Sequence, residues 1–146
     1  MFKIVLLALM VLISLASLSC QSYTTGLEHT VARVDETTAI AALHSIAVAQ
    51  QTYSLSNGGN FGTLEQLRDG GYLDARFNSP NGGAKDYALT INTKPQSGEA
   101  AFFSCNAEPT NSGPQAGRHF YIDSSSNALH VNPTQTASAS DPIYQP

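Results

Sequence analysis

Apolar and small residues recur at Leu27, Val31, Val34, Thr38, Ala42, Ile46, Ala49 and Tyr53, in steps of three and four. That period belongs to one face of an α-helix, so the pattern predicts a long amphipathic helix from Leu27 to Tyr53. Its alanine-rich middle, Ala39 to Ala49 with Leu43, Ile46 and Val48, is apolar over a wider arc and is expected to be the half buried against the rest of the domain. Asn57-Gly58-Gly59-Asn60 ends it. Thr63, with Gln66 three residues on, has capping-box spacing and predicts a short second helix buried through Leu64 and Leu67 and closed by Gly70-Gly71. Tyr72 and Leu73 are expected to fold back over the long helix, and the Asn-, Gly- and Pro-rich stretch from Asp74 to Lys85 to be loop.

From Asp86 the period becomes two. Tyr87, Leu89 and Ile91 alternate with Ala88, Thr90 and Asn92, which predicts a half-buried strand. A turn around Pro95 to Gly98 leads to a second strand at Ala100 to Ala107. Arg118 to Asp123 gives a third, with Phe120 and Ile122 facing inward, and Ser124 to Asn127 turns it into a last short strand, Ala128 to Val131. The predicted fold class is therefore α+β: a long N-terminal helix and a short helix packed on an antiparallel meander of three or four strands. Residues 27–132 form that domain. Residues 133–146, with Pro133, Pro142 and Pro146 among small polar residues, read as a loosely ordered, flexible tail.

The opening residues have a different pattern. Lys3 precedes an unbroken apolar run from Ile4 to Ile13, which continues with serine breaks to Leu18. This is the layout of a secretory signal, and the run is shorter than the roughly 20 apolar residues of a comfortable membrane span. Residues 1–19 are expected to be removed on export, leaving 20–26 as a short linker. Ser14-Leu15-Ala16 suits ordinary signal peptidase, whereas Leu18-Ser19-Cys20 resembles a degenerate bacterial lipobox, with Ser17 where that motif usually has Leu and Leu18 where it usually has a small residue. Two fates of Cys20 follow: a lipid anchor on the first mature residue, or a free thiol that an oxidising compartment could pair with Cys105, the second cysteine of the chain. With Phe102 and Phe103 beside it, Cys105 otherwise reads as a small buried hydrophobe. The expected location is the periplasm, the outer membrane through a lipid, or the cell surface.

Charge narrows the partners. Seven Lys and Arg stand against eleven Asp and Glu, a formal net charge of −4, and loss of Lys3 with the signal makes the mature chain more acidic. Such a surface argues against nucleic acid or other polyphosphate partners.

Several local stretches resemble the periplasmic part of type IV pilins and pseudopilins, in particular acidobacterial pilin-like proteins. Ala41 to Tyr53 resembles that family's Leu-x-x-Ile-x-x-Ala-x-x-x-Tyr helix. Phe61-Gly62-Thr63-Leu64-Glu65-Gln66-Leu67 followed by Gly71-Tyr72-Leu73-Asp74 is similar to its next helix and turn. Asp86-Tyr87-Ala88-Leu89, Ala107-Glu108-Pro109 and Gly117-Arg118-His119-Phe120-Tyr121-Ile122-Asp123 resemble its later strands. The likeness runs from about Thr37 to about Val131. It implies a pilin-like headgroup whose long helix meets other pilin-like or secretion-system proteins. The family's Gly-Phe-Thr-Leu-Ile-Glu-like cleavage site is absent, and Glu28, His29, Arg33, Asp35 and Glu36 interrupt the helix half that packs filament cores in that family. The likeness is thus to a headgroup carried on a different export signal.

No nucleophile elbow, Ser-x-x-Lys, CxxC or phosphate loop is present, and Gly58-Gly59-Asn60-Phe61-Gly62 has the wrong glycine spacing for one. No cofactor is implied. The histidines are the remaining candidates. If Asp123 pairs with Ala128 across the turn, Tyr121 lies opposite His130 with His119 one step away on the same face, a half-site for a divalent metal. Spacing supplies no third ligand beyond Asp123, so two solvent-facing strand histidines are the simpler reading. His44 reads as a partly buried packing residue and His29 as solvated. Asp35 and Glu36 read as helix-surface charges or the start of a second helix, and the aromatics at 53, 61, 72, 87, 102, 103, 120 and 121 as core. The expectation is an exported, non-catalytic structural or interaction protein of the bacterial envelope, an accessory subunit of a type IV pilus or type II secretion-like system. The alternatives are a periplasmic ligand- or metal-binding module on the face of His119, Tyr121 and His130, and a small hydrolase with an unrecognised site.

Overall fold

The computed structural model describes residues 33–79, 81, 83–111 and 116–146. The signal, Cys20 and the expected helical residues 27–32 lie outside these. The first described element, α1, is helical over 33–56. Ala39, Ala42, Leu43, Ile46, Ala47, Ala49 and Gln50 are buried at three-and-four spacing, with Asp35 near the start, whereas Val34 and Val48, which the sequence pattern places with the buried residues, are exposed. Gly58 and Gly59, with φ of 63° and 82°, turn the chain off the helix in a conformation that side-chain-bearing residues rarely adopt. The short α2, Leu64–Asp69, starts on Thr63, and the capping box with Gln66 is formed in both directions.

Gln50 joins the two helices. Its amide donates to the carbonyl oxygen of Gly62 at 2.7 Å and accepts from the Gly62 N–H at 2.8 Å, so this fully buried polar side chain is satisfied on both sides.

Four strands follow: β1 Tyr87–Lys94, β2 Phe102–Pro109, β3 His119–Asp123 and β4 His130–Asn132. They form one antiparallel sheet in the order β1-β2-β3-β4. In register, Leu89 faces Ala107, which faces Phe120, which faces Val131; Ile91 faces Cys105, which faces Ile122. These rows share the core with α1, and Phe103, Cys105, Ala107, Phe120 and Ile122 are wholly inaccessible. Because side chains alternate across a strand, the other face carries Ser104, Asn106 and Glu108 on β2 against Asp123, Tyr121 and His119 on β3.

Three regions differ from the sequence expectation. Asp74 to Lys85 is not featureless loop: Asp74 caps a 3-10 turn at Ala75–Asn78 that buries Phe77, and Ala84 is also in the core. Asp35 and Glu36 are not simple surface charges. Asp35 is buried, and Glu36 accepts from the Arg118 side chain at 2.7 Å and from the Arg118 backbone N–H at 2.9 Å. Finally, 133–146 is docked rather than loose. Asn106 donates to the Ala137 carbonyl, Ile143 bridges His130, and the Val131 and Tyr144 N–H groups donate to the Pro142 and Leu129 carbonyls. Tyr144 packs edge-on against Phe120, and the Arg118 guanidinium lies 5.2 Å from the centre of the Tyr144 ring. Composition predicted the tail from its lack of apolar residues. The docking instead uses backbone pairing, side-chain hydrogen bonds and one aromatic ring.

Candidate functional site: the outward helix face and its groove

The outward side of α1 has an unusual composition for a water-facing helix. From Thr37 to Ser56 it contains no Asp, Glu, Lys or Arg. Ala41, His44, Val48, Gln51, Thr52 and Leu55 are exposed, Val48 at 63 % and Leu55 at 86 %. The polar members of this side are less available than they look. The hydroxyls of Thr37, Thr38, Ser45 and Thr52 each donate to the carbonyl four residues earlier, at 2.9 to 3.0 Å. With the donor used inside the helix, a threonine presents mainly its methyl group outward. The face therefore consists of Ala, Val, Leu and threonine methyls, with His44 and Gln51 as its exposed polar side chains.

A groove of about 700 Å³ runs along this face. One wall is His44, Ser45, Val48, Ala49 and Thr52 of α1; the other is Gly71, Tyr72, Leu73, Asp74 and Phe77. Local chemistry places the second wall. Gly71, with φ of 74°, lets the chain reverse after α2, and the Tyr72 and Leu73 N–H groups both donate to the Leu67 carbonyl. Tyr72 then meets Tyr53 edge-on at 5.4 Å. Asp74 is the one carboxylate in the lining. The Arg76 side chain grips it with three bonds of 2.7 to 3.1 Å, and those bonds together with the Arg76 N–H hold the Asp74 carboxyl below its ordinary range. The groove is consequently apolar and close to neutral.

The polar sheet face was the other candidate, and the strand register there is the one the sequence anticipated, with Tyr121 opposite His130. The two rings are nevertheless held by separate partners. His119 Nδ1 is paired with the Glu108 carboxylate, which also accepts from the Thr136 hydroxyl. His130 Nδ1 lies 2.7 Å from the Asp141 carbonyl oxygen, an acceptor only, so this nitrogen carries the proton. Tyr121 donates to Asp123, and burial followed by that carboxylate pushes its phenol up to about 12. Among the described residues no group of three or more His, Cys, Asp and Glu is placed to hold a metal ion. Thr136, Ala137 and Asp141 of the C-terminal segment cover this face.

Cys105 sits in the core at 0 % exposure, and burial pushes its thiol up to about 12, which makes it unreactive in this fold. Its expected partner, Cys20, is outside the described residues.

The charge-free run of α1 is legible in the sequence. His44 was instead read as a packing residue, because flanking alanines do not reveal which arc of a helix the sheet covers. In the opposite wall, Tyr72 and Leu73 lie beside α1 as their sequence suggests, whereas Phe77 sits in a stretch read as loop. Within the described residues no helix is long and apolar enough to cross a membrane. No family model, no curated protein and no solved structure matches this chain, so the side chains themselves carry the functional argument.

Proposed function

We propose that this chain is an exported, non-catalytic interaction module of the bacterial envelope, built like a pilin or pseudopilin headgroup, which receives a protein partner on the outward face of α1. The supporting observation is that α1 exposes Val48 and Leu55 on a face without formal charge, beside an apolar groove. A protein surface of that kind gains by being covered, since scattered exposed apolar residues are ordinary but a contiguous neutral strip with a groove is a common form of interface. The order of elements, helix then antiparallel meander, agrees with the family likeness in the sequence. The apolar N-terminal run supports export, and Cys20 supports a lipid anchor as one way of staying at the envelope.

The test is a photoactivatable cross-linking residue in place of Val48, with Thr90 on β1 as the control position, in intact cells expressing the full chain. Adducts to envelope proteins at position 48 and not at 90, assigned by mass, are expected. Absence of any adduct at 48 overturns the reading. Intact mass of the membrane-purified chain beside Cys20→Ala separates a lipid-anchored form from a free exported one.

A further inference from the structure

The exposed apolar residues of α1 fall at intervals of seven: Val34, Ala41, Val48 and Leu55, all solvent-facing. Seven residues are close to two helical turns, so the four form one slowly drifting line. Their sizes change along it. Ala41 is small, Val48 intermediate and Leu55 large, with Val48 midway between the other two. Turned end for end about Val48, the line from Ala41 to Leu55 fits itself, and Val34 falls beyond the end of the facing helix. A second α1 running in the opposite direction sets its Leu55 over Ala41, its Ala41 under Leu55 and its Val48 against Val48. His44 then meets Thr52, and Ser45 meets Gln51. Large against small is the complementarity that close helix pairing requires.

Charge points the same way. A chain of net charge −4 meets its own copy at a cost unless the contact avoids like charges. From Thr37 to Gly59 there is no Asp, Glu, Lys or Arg, and in the antiparallel arrangement this neutral stretch lies entirely against itself. A parallel pair would bring the two exposed Arg33 residues together, stack Leu55 on Leu55 and leave Ala41 facing Ala41 across a gap. Opposed helix dipoles also favour the antiparallel form. Tyr72 of the groove wall stands beside the line and offers flanking apolar contact to the incoming helix.

We infer that the partner received on this face is a second copy of the same chain, joined as a two-fold antiparallel pair of α1 helices centred on Val48. The inference rests on the interaction reading above and supplies its partner. The contact is a few helical turns long and thus belongs with small, reversible interfaces.

Variants of the full chain with one added cysteine test it under mild oxidation, with the unsubstituted chain, which contains Cys20 and Cys105, as background. Disulfides need Cα atoms within about 7 Å. Val48→Cys is expected to shift largely to a dimer band. Ala41→Cys and Leu55→Cys are each expected to stay monomeric alone, because fourteen residues of helix separate them by about 21 Å. Mixed together, they are expected to form the Ala41–Leu55 heterodimer. These positions are exposed, so the substitutions leave the core intact. Self-linking of Ala41→Cys and of Leu55→Cys shows a parallel pair and overturns the inference. So does failure of all three variants to link. In that last case, photo-adducts at position 48 to a different envelope protein preserve the interaction reading and remove only the second copy, whereas no adducts remove both.

Discussion

On the inner side of the sheet, Phe103, Cys105, Ala107, Phe120 and Ile122 are sealed under α1. On the outer side, Asn106, Glu108, His130 and Asn132 meet a C-terminal segment whose single buried apolar residue is Ala137. Both faces are covered, but by different forces. The inner cover removes apolar area from water, which is non-directional and adds over many contacts. The outer cover is a set of individual bonds: Asn106 to Ala137, Asn132 to Asp141, Thr136 to Glu108 and His130 to the Asp141 carbonyl. Each such bond replaces one with water, so the net gain per bond is small. The α1 side should therefore determine whether the domain folds, and the C-terminal side how tightly one polar face is closed.

The largest expected effect is on the inner side. Phe103 is inaccessible and edge-on to Phe61 at 4.9 Å. Phe103→Ala is expected to lower unfolding free energy by about 3–5 kcal/mol, measured by urea denaturation, through lost burial and the cavity left behind. A loss no larger than that of an exposed substitution would break the comparison.

Intermediate effects belong to the rim where the two covers meet. Glu36 on α1 holds Arg118 ahead of β3, and the Arg118 guanidinium lies beside Phe120 and Tyr144. Burial acts to raise the Glu36 carboxyl, but bonds from the Arg118 side chain and backbone, with its charge, outweigh this and place it below the ordinary 4.5. A lowered folded value means the contribution is complete above pH 4.5 and lost as pH falls through the lowered value. Glu36→Gln is expected to cost roughly 1 kcal/mol at neutral pH, reduced from a fully buried pair because Arg118 is partly exposed. The difference from the unsubstituted chain should shrink in acid, and a pH-independent difference would refute the ion pair as its source.

The smallest effect on global stability is expected from the outer side. Asp141 accepts from Asn132, from the Ser138 N–H and from the Ser138 hydroxyl, and these bonds hold its carboxyl below the usual range. Asp141→Ala should leave the denaturation midpoint closer to that of the parent chain than Glu36→Gln does, while accelerating amide hydrogen exchange at Val131 and Tyr144, whose bonds run to Pro142 and Leu129. Unchanged exchange there would show that Tyr144 alone holds the segment.

The same contrast between inward and outward sides runs along α1. Ala42, Ile46 and Ala49 were recognisable because burial imposes a three-and-four period, although Val34 shares that period and is exposed, and strand alternation revealed Phe120 and Ile122 in the same way. The outward residues were harder to read, because Thr and Ser count as polar in any pattern. Only the helical carbonyl four residues back shows that their donors are already used.

Local chemistry written in the chain determined the capping box at Thr63 and Gln66, the glycine exit from α1, the strand period after Asp86 and the α+β class. All of these depend on near neighbours and on a single buried face. Tertiary structure alone decided the partners 82 residues apart at Glu36 and Arg118, the burial of Phe77 in a stretch with no period, and the docking of 133–146. Those contacts join segments whose sequences carry no mark of each other, and each forms only when the folded chain brings its two segments together.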